Sequence, residues 1–128
     1  ISLSTIKKFW MQLKCKIKYM NPSQHDLLMP KTSHIPHLLS YALVSQIFKN
    51  RNINNIKDFT GGGFKDFARI ASSDPLMWKD ICSSNKANIL LSLDSLAKEI
   101  DMISNKIKKD DYSSLKKYFK KIQSKLDN

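Results

Sequence analysis

An all-α fold is predicted for this 128-residue chain, with a short helix–strand piece ahead of it. Three observations carry that expectation. Apolar residues recur at three- and four-residue spacing over most of the sequence, the stripe of a helix with one buried face. Helix-start signals precede three of those stretches, at Asn21-Pro22-Ser23, Ser72-Ser73-Asp74-Pro75 and Asp110-Asp111. Each offers a capping side chain, and two place proline where a first helical turn tolerates it. Only one short segment alternates as a strand does.

Ile6, Phe9, Trp10 and Leu13 give residues 4–14 the spacing of a short amphipathic helix. Lys16–Met20 (KIKYM) alternates and reads as a short strand. Asn21-Pro22-Ser23 then breaks the chain and opens the next helix. From Ser23 to Phe48 the pattern is helical, but Pro30 and Pro36 interrupt it. Each proline removes an amide donor and disfavours helical geometry in the residue before it. A broken or kinked segment is expected, with Pro36–Phe48 (Leu39, Leu43, Ile47) its clearest stripe. Asn50–Asn55 is polar and loop-like. Phe64–Ala71 forms a short helix, and a long one follows Pro75. Its face carries Trp78, Ile81, Ile89, Leu93, Leu96, Ile100, Ile103 and Ile107, with Asn85 filling the missing turn. Asp110-Asp111 caps a last helix, with Leu115, Phe119, Ile122 and Leu126 inward. From Trp78 to Ile107 an unbroken helix would run about 45 Å. So small a domain cannot bury that whole face, and pairing with a second copy, a homodimer, is expected.

No run of about 18 apolar residues occurs, so no membrane span is expected. ISLSTIKKFWMQLKCKIKYM is too interrupted by lysine to be a signal-peptide core. The chain opens on Ile1 and is read as a piece of something longer. Cys15 and Cys82 lie 67 residues apart with no C-x-x-C pair, which fits reduced thiols in the cytoplasm better than a disulfide framework. The net charge of +11 invites a nucleic-acid reading. Yet the lysines are scattered, and no aromatics interleave with them to stack bases. With 20 lysines, two arginines and one glutamate, the balance reads as compositional bias, and no nucleic-acid partner is expected.

All three glycines stand together at Gly61–Gly63, opening GGGFKDFARIASSDPLMW (61–78) with Arg69 inside it. Glycine admits conformations and close approaches that a Cβ forbids. The planar arginine fork fits a carboxylate, so the run reads as an anion site. The plainer alternative is an Asp66–Arg69 ion pair on a helix surface, worth little by itself. The run is no nucleotide loop, lacking both G-x-G-x-x-G and G-K-[ST]. The histidines cluster as His25, followed by Asp26, and as His34 and His37 in Ser33–His37 (SHIPH). They are read as side chains fixing a bent helix. A metal is not expected, since no further ligand sits at zinc-like spacing. Trp78 is most simply core.

HDLLMPKTSHIPH (25–37) followed by GGGFKDFARIASSDPLMWKDI (61–81) resembles the C-terminal domain of the prephenate dehydrogenase family, which includes arogenate dehydrogenases. That family carries an HD…SHLPH segment and then a GGGF[RK]D-x-[TA]RIA-x-S-x-P-x-MW-x-DI segment. The resemblance implies a helical dimerisation domain with long antiparallel helices over residues 21–128. Residues 1–20 then correspond to the tail of a Rossmann-type nucleotide-binding domain. It implies an enzyme that oxidises prephenate (or arogenate) with NAD or NADP, losing carbon dioxide to give 4-hydroxyphenylpyruvate (or tyrosine). The catalytic histidine and the cofactor site would lie upstream of Ile1, so this piece alone is expected to be inactive. Arg69 matches the arginine that binds the ring carboxylate, and His37 the histidine lining the pocket near the side-chain carboxylate. His25, Asp26, Ser33, His34, Lys65, Asp66 and Trp78 match pocket or supporting positions. Two departures stand out. Pro30 replaces a usual alanine and should bend or restart the helix, and Ala68 replaces a common threonine. The competing readings are a non-catalytic helical dimer or truncated remnant, and, from charge alone, a basic nucleic-acid binder.

Overall fold

The computed structural model describes residues 2–49 and 60–127; the loop expected at Asn50–Asn55 lies outside them. Among the described residues the structure is helical. Helix α1 spans Leu3–Gln12, α2 Pro22–Met29 and α3 Ile35–Lys49, with a π-helical turn over Pro30–His34 joining α2 to α3. Helix α4 spans Gly62–Ala71, α5 Pro75–Ser84, α6 Lys86–Lys108 and α7 Tyr112–Leu126.

The starts follow the sequence signals. Asn21 caps α2 in a reciprocal box, its side chain accepting from the Gln24 amide at 2.8 Å while Gln24 Oε1 accepts from the Asn21 amide at 3.2 Å. Asp74 caps α5, accepting from the Met77 amide at 2.7 Å. Asp111 caps α7, accepting from the Ser114 amide at 3.1 Å. Asp111 also closes α6, since its amide donates to Lys106 O at 2.9 Å while Asp110 adopts φ 53°. Left-handed backbone of this kind ends a helix by satisfying its last carbonyls. Lys14 (φ 57°) closes α1 in the same way, with Cys15 N donating to Trp10 O at 3.1 Å.

Three expectations are corrected. The strand read at Lys16–Met20 is not formed: no strand occurs among the described residues. Alternation without a neighbouring strand leaves its ladder groups unpaired. The single long helix is two helices, broken at Asn85, whose backbone leaves the helical region at φ −123°. The apolar stripe continues across the break, which is why spacing alone did not reveal it. In α7 only Leu115 of the four residues expected inward is half-buried, while Phe119, Ile122 and Leu126 are exposed.

Pro30 produces the restart expected of it. Without an amide at position 30, the segment widens to i→i−5 bonding, with Ile35 N donating to Pro30 O. Ile35, Trp78 and Ile89 form the buried apolar core, with Pro30, His34, Ser40 and Asn85 buried among them. Burying each large apolar side chain contributes about 1.5–3 kcal/mol. Helix α4 packs along α3, and the π turn packs on α6. Tyr118 of α7 donates to Glu99 of α6 at 2.7 Å, which makes those two helices an antiparallel hairpin.

Candidate functional site

The predicted site residues fall into two groups. The first gathers on the π turn and its flanking helices. Widened turns of this kind recur at functional sites because they aim side chains that a regular helix would send elsewhere. His37 stacks on the Trp78 indole, with ring centroids 4.1 Å apart and planes at 26°. His34 meets the same indole edge-on at 6.1 Å and 80°. Trp78, 6% exposed, is thus core as expected, but it is also one wall of a histidine cluster.

The tautomer of His37 follows from its partner. Ser33 O can only accept, so His37 Nδ1 carries the proton and donates to it at 2.9 Å. His34 is buried, and burial is the first cause of its pKa lying below the ordinary histidine value. The neighbouring His25 and His37 push it the same way, while Asp26 opposes them. All four groups therefore lie within electrostatic reach of one another. His25 Nδ1 and Asp26 Oδ1 are 3.1 Å apart, with both side chains about half exposed. His34 Nδ1 and Trp78 Nε1 are buried without hydrogen-bond partners. A buried polar atom of this kind is costly to leave unpaired.

The second group, Lys65, Asp66 and Arg69, lies on α4 and is exposed. Lys65 and Arg69 are one turn apart and share a face. Asp66 and Arg69 form no ion pair among the described residues, where the two ion pairs are His25–Asp26 and Lys79–Asp80. Phe48 packs edge-on against Phe64 at 6.5 Å, and Tyr41 OH donates to Ser73 O at 2.7 Å. Those two contacts run α4 antiparallel to α3 and place Arg69 near the middle of α3. Arg69 is therefore about 10 Å along the α3 axis from His37. The two groups flank one helix without touching.

The glycines adopt no conformation and allow no close approach that would require glycine. Gly62 and Gly63 are the first residues of α4 and no glycine has positive φ. A Cβ on any of the three would meet nothing within 4 Å.

Sequence reasoning missed Asn85 as a site residue. It is buried, and its Nδ2 donates to Asp26 O at 2.8 Å across 59 residues of chain, while its Oδ1 accepts from Asn88 Nδ2 at 2.8 Å. A polar residue in an otherwise apolar stripe was the available signal. Tyr41 was missed too, and carried no such signal. Among the described residues no group of three or more histidine, cysteine or acidic side chains could hold a metal, and no helix is long and apolar enough to cross a membrane.

Residues 21–121 match the family model "Prephenate dehydrogenase, dimerization domain". The prephenate dehydrogenase of Bacillus subtilis is 41% identical over 102 residues, 79% of this chain and 28% of that protein. The cyclohexadienyl dehydrogenase of Zymomonas mobilis is 27% identical over 95% of this chain and 42% of its own length. A crystal structure of the Aquifex aeolicus prephenate dehydrogenase with hydroxyphenyl propionate and NAD+ superimposes with a TM-score of 0.84 at 34% identity. It covers 96% of this chain and 43% of that one. Synechocystis arogenate dehydrogenase shares the fold, with a TM-score of 0.80 at 21% identity over 98% of this chain and 46% of its own. The chain thus spans 28–42% of the curated relatives it matches.

Proposed function

The chain belongs to the prephenate dehydrogenase family through its dimerization domain, and from that premise we propose that it supplies the substrate grip and self-pairing of such an enzyme. The complete protein would oxidatively decarboxylate prephenate, or arogenate, with NAD or NADP. The glycine run lacks the G-x-G-x-x-G spacing of a dinucleotide loop, and the cofactor's seat is assigned to the rest of the protein. Helix α1 supports that division. Its Leu3, Ile6, Phe9 and Trp10 are 44–66% exposed, an apolar face suited to close the nucleotide domain to which residues 1–20 are assigned.

The observation that carries the reading is the His37–Trp78 stack. With the Ser33 bond it fixes one imidazole in a single orientation against a rigid wall, which is how a side chain is held ready for a ligand at no further entropic cost. His37 would donate from a protonated Nε2 to the side-chain carboxylate, and Arg69 would meet the ring carboxylate. His25, Asp26, Ser33 and His34 would shape the first contact, and Lys65 and Asp66 would set the charge around the second. Holding two carboxylates in fixed positions contributes through orientation and electrostatics.

The homodimer is proposed on the same footing. Ile100 and Ile107 of α6, seven residues apart and so on one face, are 50% and 49% exposed, an apolar surface that a second copy would cover. The test is direct. The complete protein should reduce NAD(P) when given prephenate or arogenate, while residues 1–128 alone should not. A complete protein inert with both substrates would overturn the reading in favour of a non-catalytic helical dimer.

A further inference from the structure

We infer that Asn85 is a positioning residue for the histidine–tryptophan cluster, and that it serves because Pro30 lacks an amide. In a regular helix the N–H of residue 30 returns to the carbonyl of residue 26, and proline has none to give. The Asn85 side chain supplies the donor instead, at 2.8 Å to Asp26 O. Its other side-chain atom is held by Asn88 Nδ2 at 2.8 Å, and its own amide donates to Ile81 O. Asn85 is 8% exposed and Pro30 almost wholly enclosed, so this substitution of donors takes place in a part-buried setting, where leaving a carbonyl unpaired carries a cost.

The consequence reaches the cluster through α5. Trp78 and Asn85 stand seven residues apart, two turns on one face of α5. One end of α5 is pinned to α3 by the stacked His37 imidazole, and the other, at its C-cap, to α2 by the Asn85 bond. Removing the second pin lets α5 pivot, and the His37–Trp78 overlap is what a pivot changes. Asn85 is thus assigned to holding Trp78 against His37 and has no contact with the reacting atoms. This inference rests on the proposed substrate site for its functional consequence, and on geometry alone for the rest.

The experiment is a two-residue cycle in the complete enzyme, with Asn85→Ala, Pro30→Ala and the pair. Alanine at position 30 restores an amide that can return to Asp26 O. With Pro30 in place, Asn85→Ala should raise KM about fivefold or more with a smaller change in kcat, as expected for an orphaned buried acceptor. In the Pro30→Ala background the same change should raise KM less than about twofold. A second readout needs no substrate. With 13C-labelled histidine, the His37 ring proton should lose its upfield displacement from the Trp78 ring in Asn85→Ala and regain it in the pair.

Equal effects of Asn85→Ala in both backgrounds, or an unmoved His37 signal, overturn the inference. Should Asn85→Ala alone fail to fold, a folded double variant is the predicted suppression, and an unfolded one overturns it. An enzyme inert with prephenate and arogenate removes the dehydrogenase reading only, and the His37 signal still decides this one.

Discussion

Arg69 and His34 sit at opposite extremes of exposure, and each leads to a different measurement. Arg69 is exposed on α4 and unpaired with Asp66, so its fork is available to a carboxylate that removes it from water on binding. Arg69→Ala in the complete enzyme should weaken substrate binding by about 2–4 kcal/mol. Lysine should recover only part of this, because it cannot pair bidentately. An unchanged KM in the alanine variant takes Arg69 out of the site. For His34, burial holds the folded-state pKa below the ordinary 6.5. The unfolded chain therefore binds the proton first. Stability from the neutral ring is fully present above pH 6.5 and is lost as pH falls from there through the depressed folded value. Thermal midpoints measured from about pH 8 to about pH 5 should fall on acidification, and His34→Gln should flatten that fall. Residue identities such as Arg69 and His37 were legible because their motifs are local. Their separation along α3 was not, because it depends on how α4 docks.

Helix boundaries show which signals a sequence states openly. Starts marked by a cap and a proline appear where expected, since a side chain two or three residues from an orphaned amide decides them. Asp74→Ala should cost about 1 kcal/mol, read as a lowered thermal midpoint with α5 otherwise intact. No change would mean that the Trp78 contacts alone hold that helix. The break at Asn85 was hidden for a different reason. Ile81 and Ile89 keep their apolar places on either side, so a periodic count passes straight through. At the break the Asn85 side chain bonds Asp26 O, and no local pattern records a partner 59 residues away. The short strand failed for want of a neighbour, again a fact about tertiary placement.

At the scale of the molecule, the exposed stripe on α6 and the exposed Phe119, Ile122 and Leu126 of α7 are more apolar surface than a lone domain tolerates well. Ile100→Asp together with Ile107→Asp should convert dimers to monomers, measured by sedimentation equilibrium. Dimers that persist would move the interface to another face. The need for a partner was legible from helix length and composition, and it survives the division of the long helix, because α6 alone keeps most of the stripe. The π turn at Pro30–His34 sets a further constraint on the whole. It inserts an angular offset between everything before it and everything after. Each residue of a helix turns the chain by about 100°. Deleting one residue from Lys31–Ser33 would therefore swing His25, Asp26 and the whole of α1 by about a quarter-turn around α3 while leaving His34, His37 and Trp78 in place. Length within those few positions acts as the clutch between the two halves of the chain.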